Sequence, residues 1–209
     1  MKSSVAADSD IPKLQAPGAG LPLPQRLAIR LWYGPVVSRR ASFADSRLSY
    51  ESLVGKIIGV VSAIPPELRS IKVLVAPMIG LEDSSRFWSA HGVLEHLLIV
   101  GHAMEAVILS LGAGRIPPGV ADTAKVKPAQ AEGDWLAEFS AYAPSLAAKL
   151  DEKLAAPGMD ADSAVEFRHP WFGPMTLRQW YWLLANHQGV HYQQLKGIRE
   201  GLARGGASV

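Results

Sequence analysis

The sequence predicts an all-α protein: a four-helix bundle with long connections and an N-terminal extension. Two observations support this. Four long segments carry apolar residues at helical spacing, and breaking or capping residues stand at their ends: Pro65-Pro66, Gly112, and Thr176 with Gln179. The chain has 209 residues, 48% of them hydrophobic, which is ordinary for one domain with a real core.

Taken in order, Met1 to Pro24 mixes Ser, Ala, Asp, Gly and Pro and is expected to be a flexible tail, residues 1–24, ahead of a domain spanning 25–209. It lacks the continuous apolar core of a signal peptide, so cytoplasmic residence is expected. From about Pro24 a short helix can start at a favoured N-terminal proline, and Gly34-Pro35 should stop it, with Leu27, Leu31 and Trp32 against the outside of the bundle. The first long helix is expected from about Tyr50 to Ala63, with Leu53, Ile57, Val60, Val61 and Ile64 on its apolar side. The apolar run Ile71 to Ile79 fits either an extended piece or a short helical turn.

The second long helix runs from about Ser85 to Leu111, with Val93, Leu97, Val100, Met104, Val107 and Leu111 as its core stripe. Its apolar centre tempts a transmembrane reading, yet it contains Glu95, His96, His102 and Glu105, which would cost about 2 kcal/mol or more each in lipid. A buried soluble helix is expected, and no membrane partner. The third helix spans about Asp134 to Leu154, with Trp135, Phe139, Leu146 and Leu150 buried. At the fourth, Thr176 can cap while Gln179 reaches back, and the helix continues to about Gly201. The Pro- and Gly-rich link from Gly112 to Gly133 is long enough for a crossover that leaves the second and third helices parallel.

Composition narrows the chemistry. Lys and Arg number 21 against 19 Asp and Glu, and no basic stripe extends beyond Arg39-Arg40, so nucleic-acid binding is not expected. Cysteine is absent, which excludes disulfides and thiolate metal sites and leaves imidazole and carboxylate as ligands.

The fourth helix holds His187 and His191 four residues apart, so both rings address one point. Counted from Trp180, they fall at the centre of the stripe Trp180, Leu183, Leu184, Leu195 and Ile198 and point inward. Buried side by side, two imidazoles lose hydration and cannot both charge, whereas a bound cation removes both problems. Neutral core histidines with hydrogen-bond partners are the alternative. A third ligand is expected from the second helix, where His96 lies at the edge of the core stripe. His91, Glu95 and His102 cluster on the other side, as a solvated or dimer-contact face. His96 sits near the middle of its helix and the His187–His191 pair straddles the middle of its own, so the three share one level in either chain direction. Three imidazoles leave coordination positions open for water or substrate. Gln194, one turn past His191, can hydrogen-bond a ligand or bound water. His169 precedes Pro170 and reads as a turn residue; Tyr181, Tyr192 and Arg178 have no assigned role.

Phe87-Trp88 followed by Val93-Leu94-Glu95-His96-Leu97 resembles the aromatic-start, xLxHL helix of DinB/YfiT-like proteins. The stretch from His169 through Pro170, Trp171, Phe172, Gly173, Pro174, Met175 and Thr176, then Trp180 and His187 to His191, is similar to that superfamily's HPxFG-(L/M)T…W…H-x-x-x-H ending. The resemblance covers about residues 45 to 200. It implies an up-down-down-up four-helix bundle, often a homodimer, binding one divalent ion through His96, His187 and His191. Nickel or zinc would be the first candidates, iron or manganese the next. Some relatives are S-transferases or isomerases that use low-molecular-weight thiols. The related sulfoxide-synthase metal domain resembles His-x-x-x-His-x-Glu, but Gln193 stands at the last position here, against that iron chemistry. Two functions follow as expectations: a metal-dependent transferase- or isomerase-type enzyme, or a non-catalytic dimeric bundle with a structural or vestigial site.

Overall fold

The computed structural model describes residues 12–205, and these are mostly helical. A short α1 (Leu23–Ala28) runs into a π-helical stretch, Ile29–Ser38. Four long helices follow: α2 (Phe43–Ser62), α3 (Ala90–Gly112), α4 (Trp135–Leu154) and α5 (Leu177–Ala203). Two small antiparallel pairs sit between them. β1 (Val73–Leu74) pairs with β2 (Phe87–Trp88), and β3 (Glu166–His169) pairs with β4 (Gly173–Thr176).

Side-chain contacts give the helix directions. The Tyr50 hydroxyl donates to the Ala143 carbonyl at 3.2 Å and Arg47 pairs with Asp151 at 2.7 Å, so α2 and α4 run antiparallel. Phe43 meets Tyr181 edge-on at 5.2 Å and Leu53 lies 3.7 Å from where a Cβ at Gly189 would stand, so α2 and α5 run parallel. Gly101 faces Tyr142 while Gly112 faces Leu154, which makes α3 and α4 parallel and the link between them a crossover, as its length suggested. Gly112 also faces Leu177 while His96 meets His187, so α3 is antiparallel to α5. Ile57, Leu94, Leu97, Ile108, Leu146 and Leu150 fill the centre with essentially no exposure. Each such side chain contributes about 1.5–3 kcal/mol by leaving water.

Local chemistry fixes the helix ends. Ser42 accepts from Asp45 N–H at 3.0 Å and starts α2 seven residues ahead of the expected Tyr50. Ser89 accepts from Gly92 N–H at 3.0 Å, so α3 begins at Ala90, and Ser85, expected to open it, lies in a 3-10 turn before β2. Asp134 caps α4 through Ala137 N–H. The capping box at Thr176 forms, Gln179 Oε1 accepting from Thr176 N–H at 2.9 Å. α3 has the length and hydropathy of a membrane span, but 67% of its most apolar window is buried inside the protein.

The N-terminal region departs most from expectation. Residues 1–11 of the expected flexible tail lie outside the described residues; the remainder is mostly exposed and touches the rest of the protein at separate points. Gln15 N–H donates to Asp83 at 2.8 Å, and Leu21 is buried. Gly34-Pro35 does not stop the helical path, which widens into the π turn and reaches Ser38, where the Ser38 hydroxyl donates to the Gly34 carbonyl. Leu27, Leu31 and Trp32, expected against the bundle, face solvent at 49–69% exposure. Ile29 and Tyr33 make the contact instead, Tyr33 lying 5.8 Å from the Trp182 ring.

Candidate metal centre

His96, expected near the middle of its helix, stands in the second turn of α3 because the Ser89 cap starts that helix at Ala90, whereas His187 and His191 stand midway along α5 as expected; the three meet because the first turns of α3 cross the middle of α5. Their candidate ligand atoms all lie within 4.8 Å of one another. His96 Nε2 is 3.2 Å from His187 Nε2, and the ring centroids are 4.5–5.1 Å apart. Two imidazole nitrogens on one ion, each at about 2.0–2.1 Å, stand roughly 3 Å apart. The three buried histidines are close enough to bind one metal ion.

Hydrogen bonds behind the rings set their tautomers. His96 Nδ1 lies 2.6 Å from the Val126 carbonyl, which can only accept, so Nδ1 carries the proton and Nε2 is bare. Gln194 Nε2 donates to the Ser85 carbonyl at 2.7 Å, which turns Gln194 Oε1 toward His191 Nδ1, also 2.7 Å away. His191 therefore carries its proton on Nδ1 and presents Nε2. Carbonyl and amide partners of this kind orient metal-binding imidazoles in general. His187 Nδ1 is buried without a partner among the described residues, so no bond behind this ring fixes its tautomer. All three rings are held neutral. Burial, with Lys127 adding to it and the Val126 bond opposing, pushes His96 down to about 4. Burial also lowers His187 and His191 well below the ordinary imidazole range, followed by neighbouring imidazoles. Neutral imidazoles, two of them with their bare Nε2 set by partners behind the ring and the third close enough to join them, suit a borderline divalent ion.

The supporting frame comes from loops. Glu95, expected on a solvated face, is buried and accepts from Ala129 N–H at 2.9 Å and Gln130 N–H at 2.8 Å, so it fastens the α3–α4 crossover that carries Val126. Gly92 allows this approach, since a Cβ there would stand 3.0 Å from Gln130 Cγ. Lys127, on the same crossover, donates to Glu82 at 2.5 Å and to Ser85 Oγ at 2.7 Å. Burial pushes the Glu82 carboxyl up, but its bonds to Lys127 and Thr123 outweigh that and hold it below the usual range. Trp88 of β2 closes the inner side, stacked parallel to His191 and 5.1 Å from His96.

A cavity of about 600 Å³ opens beside the triad and is lined by His187, Asn186, Met104, the aromatic residues of the β3–β4 turn and the N-terminal segment from Pro24 to Tyr33. The N-terminal extension is thus one wall of it. His169 also lines it; its Nδ1 accepts from Trp171 N–H at 3.1 Å, the turn role expected, while burial pushes the ring down to about 3. The other flanking residues are elsewhere. Tyr181 donates to Asp151 at 2.8 Å and Arg178 pairs with Asp162, both ties between structural elements. His102 is exposed against the Tyr142 ring, and His91 Nδ1 is 3.3 Å from Ser70 Oγ, so neither joins the site.

Two expected results follow. Replacing Gln194 by Leu removes the bond that sets the His191 tautomer and should weaken zinc or nickel affinity by about 10–100-fold, read by competition with a chromophoric chelator. Unchanged affinity would mean the Gln194 contact only packs. For metal-free protein, His96 and His169 titrate below the unfolded value of 6.5, so the unfolded chain takes up protons first on acidification. Their contribution to stability is fully present above pH 6.5 and is lost as pH falls toward 4 and then 3, by about 3 kcal/mol for His96. A melting temperature that stayed flat through that window would contradict it.

No family model, curated protein or solved structure matches this chain.

Proposed function

We propose that the chain is a divalent-metal-dependent enzyme on a DinB/YfiT-type, up-down-down-up four-helix bundle, catalysing thiol transfer or isomerisation of a small molecule held in the cavity. His96, His187 and His191 would hold the ion, nickel or zinc in first place and iron or manganese after them. The helix directions support the bundle, α2 parallel to α5 and both opposed to α3 and α4. One observation carries the reading: three neutral imidazoles converge beside a cavity that reaches one of them. When bound, a divalent ion with open coordination lowers the pKa of a thiol or water toward neutrality. Val126 and Gln194 orient two of the imidazoles, Trp88 keeps water from the inner face, and the cavity places a substrate alongside His187.

Elemental analysis of protein purified without a histidine tag tests the proposal. About one equivalent of a first-row divalent metal per chain is expected, with any thiol-dependent transfer activity lost to a chelator and restored by that metal. A second reading, a non-catalytic homodimer with an inert triad, is favoured by the solvent-facing row Leu23, Leu27, Leu31 and Trp32. Metal-free protein that neither zinc nor nickel stabilises, and that becomes monomeric on Leu27→Ser and Leu31→Ser substitution, would establish that reading.

A further inference from the structure

We infer that the cavity beside the triad receives an uncharged, ring-shaped small molecule bearing one hydroxyl or carbonyl group. The volume, about 600 Å³, is in the range that small organic ligands occupy. Its walls include Tyr33, Trp171, Phe172 and Trp182, which offer flat apolar faces. Among the described residues none of the lining side chains is Asp, Glu, Lys or Arg. An ionised group entering this space away from the triad would lose hydration and find no opposite charge among the lining side chains. Thiols rich in carboxylates or sugars would be poorly matched to it.

The polar side chains of the lining are His169, Asn186, His187, Tyr33 and Gln25, the last with its Oε1 already accepting from Gly80 N–H at 3.3 Å. His169 Nδ1 accepts from the backbone N–H groups of Trp171 and Phe172, which places the ring proton on Nε2, a donor with no partner among the described residues. Asn186 Nδ2 donates to the Trp182 carbonyl at 2.9 Å, which leaves Oδ1 as an acceptor likewise without a partner. A donor and an acceptor of this kind match a hydroxyl, and the donor alone matches a carbonyl. His187, whose Nδ1 is buried and unpartnered, lines the same cavity. The inference rests on reading this site as the place where substrate is held, although binding itself does not require the ion.

The test uses the full chain stripped of metal by a chelator, so that no carboxylate is drawn to the ion. Three probes share one ring system: 2-naphthol, naphthalene and 2-naphthoate. Binding is followed by tryptophan fluorescence and calorimetry. We expect saturable 1:1 binding of 2-naphthol, about ten-fold or more tighter than 2-naphthoate and several-fold tighter than naphthalene. Asn186→Leu should reduce the advantage over naphthalene. Ala28→Trp, at an exposed position of the cavity wall, should weaken every probe without threatening the fold. Equal or tighter binding of 2-naphthoate, absence of saturable 2-naphthol binding, or indifference to Ala28→Trp would overturn the inference. Metal content is measured on the same preparation before stripping. No metal with 2-naphthol binding intact defeats the metal reading alone, whereas metal present with no 2-naphthol binding defeats this inference alone.

Discussion

Zinc or nickel at a hundred-fold excess over its dissociation constant is expected to raise the melting temperature by roughly 5–10 °C, and the His187→Ala, His191→Ala double variant should show no rise at all. A ligand that binds only the folded state at that excess adds about 2.7 kcal/mol. For a domain of this size, each kcal/mol moves the transition by about 2–4 °C. The full loss in the double variant follows from geometry. Removing both α5 imidazoles leaves His96 alone, and a single neutral imidazole does not hold a divalent ion against water. Metal-free, the double variant should remain folded, because both rings are neutral and each has a single side-chain partner within the protein, Gln194 for His191 and His96 for His187. An equal metal-induced rise in wild type and variant would place the ion elsewhere.

The second large effect is expected at Glu95. Glu95→Ala removes a buried carboxylate that holds the backbone N–H groups of Ala129 and Gln130, and leaves both without an acceptor. Bonds to a charged acceptor contribute about 1.5–3 kcal/mol each, and part of that is recovered if the crossover lifts into water. A destabilisation of about 2–4 kcal/mol is therefore expected by chemical denaturation. The same lifting withdraws the Val126 carbonyl from His96 Nδ1 and should weaken metal affinity by about 10–100-fold. Glu95→Gln keeps an acceptor and should retain most of both properties. A destabilised Glu95→Ala variant with unchanged metal affinity would show that the crossover does not orient His96.

The long helices were legible because their apolar stripes persist over several turns. Phe139, Leu146 and Leu150 are buried as expected, as are all five stripe residues of α5, whereas Trp135 at the first turn of α4, Leu53 of α2 and Val107 of α3, also expected in the core, are only partly buried. The first turns of α2 were missed because Ser46 occupies an inward position where a hydrophobic residue would have extended the pattern. The strand pairs are too short for alternation to register, β1 and β2 having two residues each. The π stretch runs through a Gly-Pro pair that ordinarily ends a helix, and packing of Ile29 and Tyr33 decides its course, which no local signal records. At the site, His96, His187 and His191 were legible from helical geometry alone, and Gln194 from its place one turn on. Their other supports were not. Val126 acts through its carbonyl, which has no side-chain signature, and Lys127 and Ser85 meet only when distant loops converge. Glu95 did leave a trace, as a carboxylate inside an otherwise apolar run beside His96, where an exposed face was the poorer explanation.

The prearranged tautomers have a thermodynamic consequence. Histidines that are protonated in the free protein must shed protons before a cation can dock, and calorimetry then reports a heat that varies with the buffer. Here the Val126 carbonyl and the Gln194 amide have already placed the protons of His96 and His191 on the far nitrogens, and burial keeps every ring of the triad uncharged at neutral pH. Titration with zinc at pH 7 should release no proton from the imidazoles. Any buffer-dependent heat that is observed would come from ionisation of a fourth participant, a water or an added thiol, and would count its protons directly.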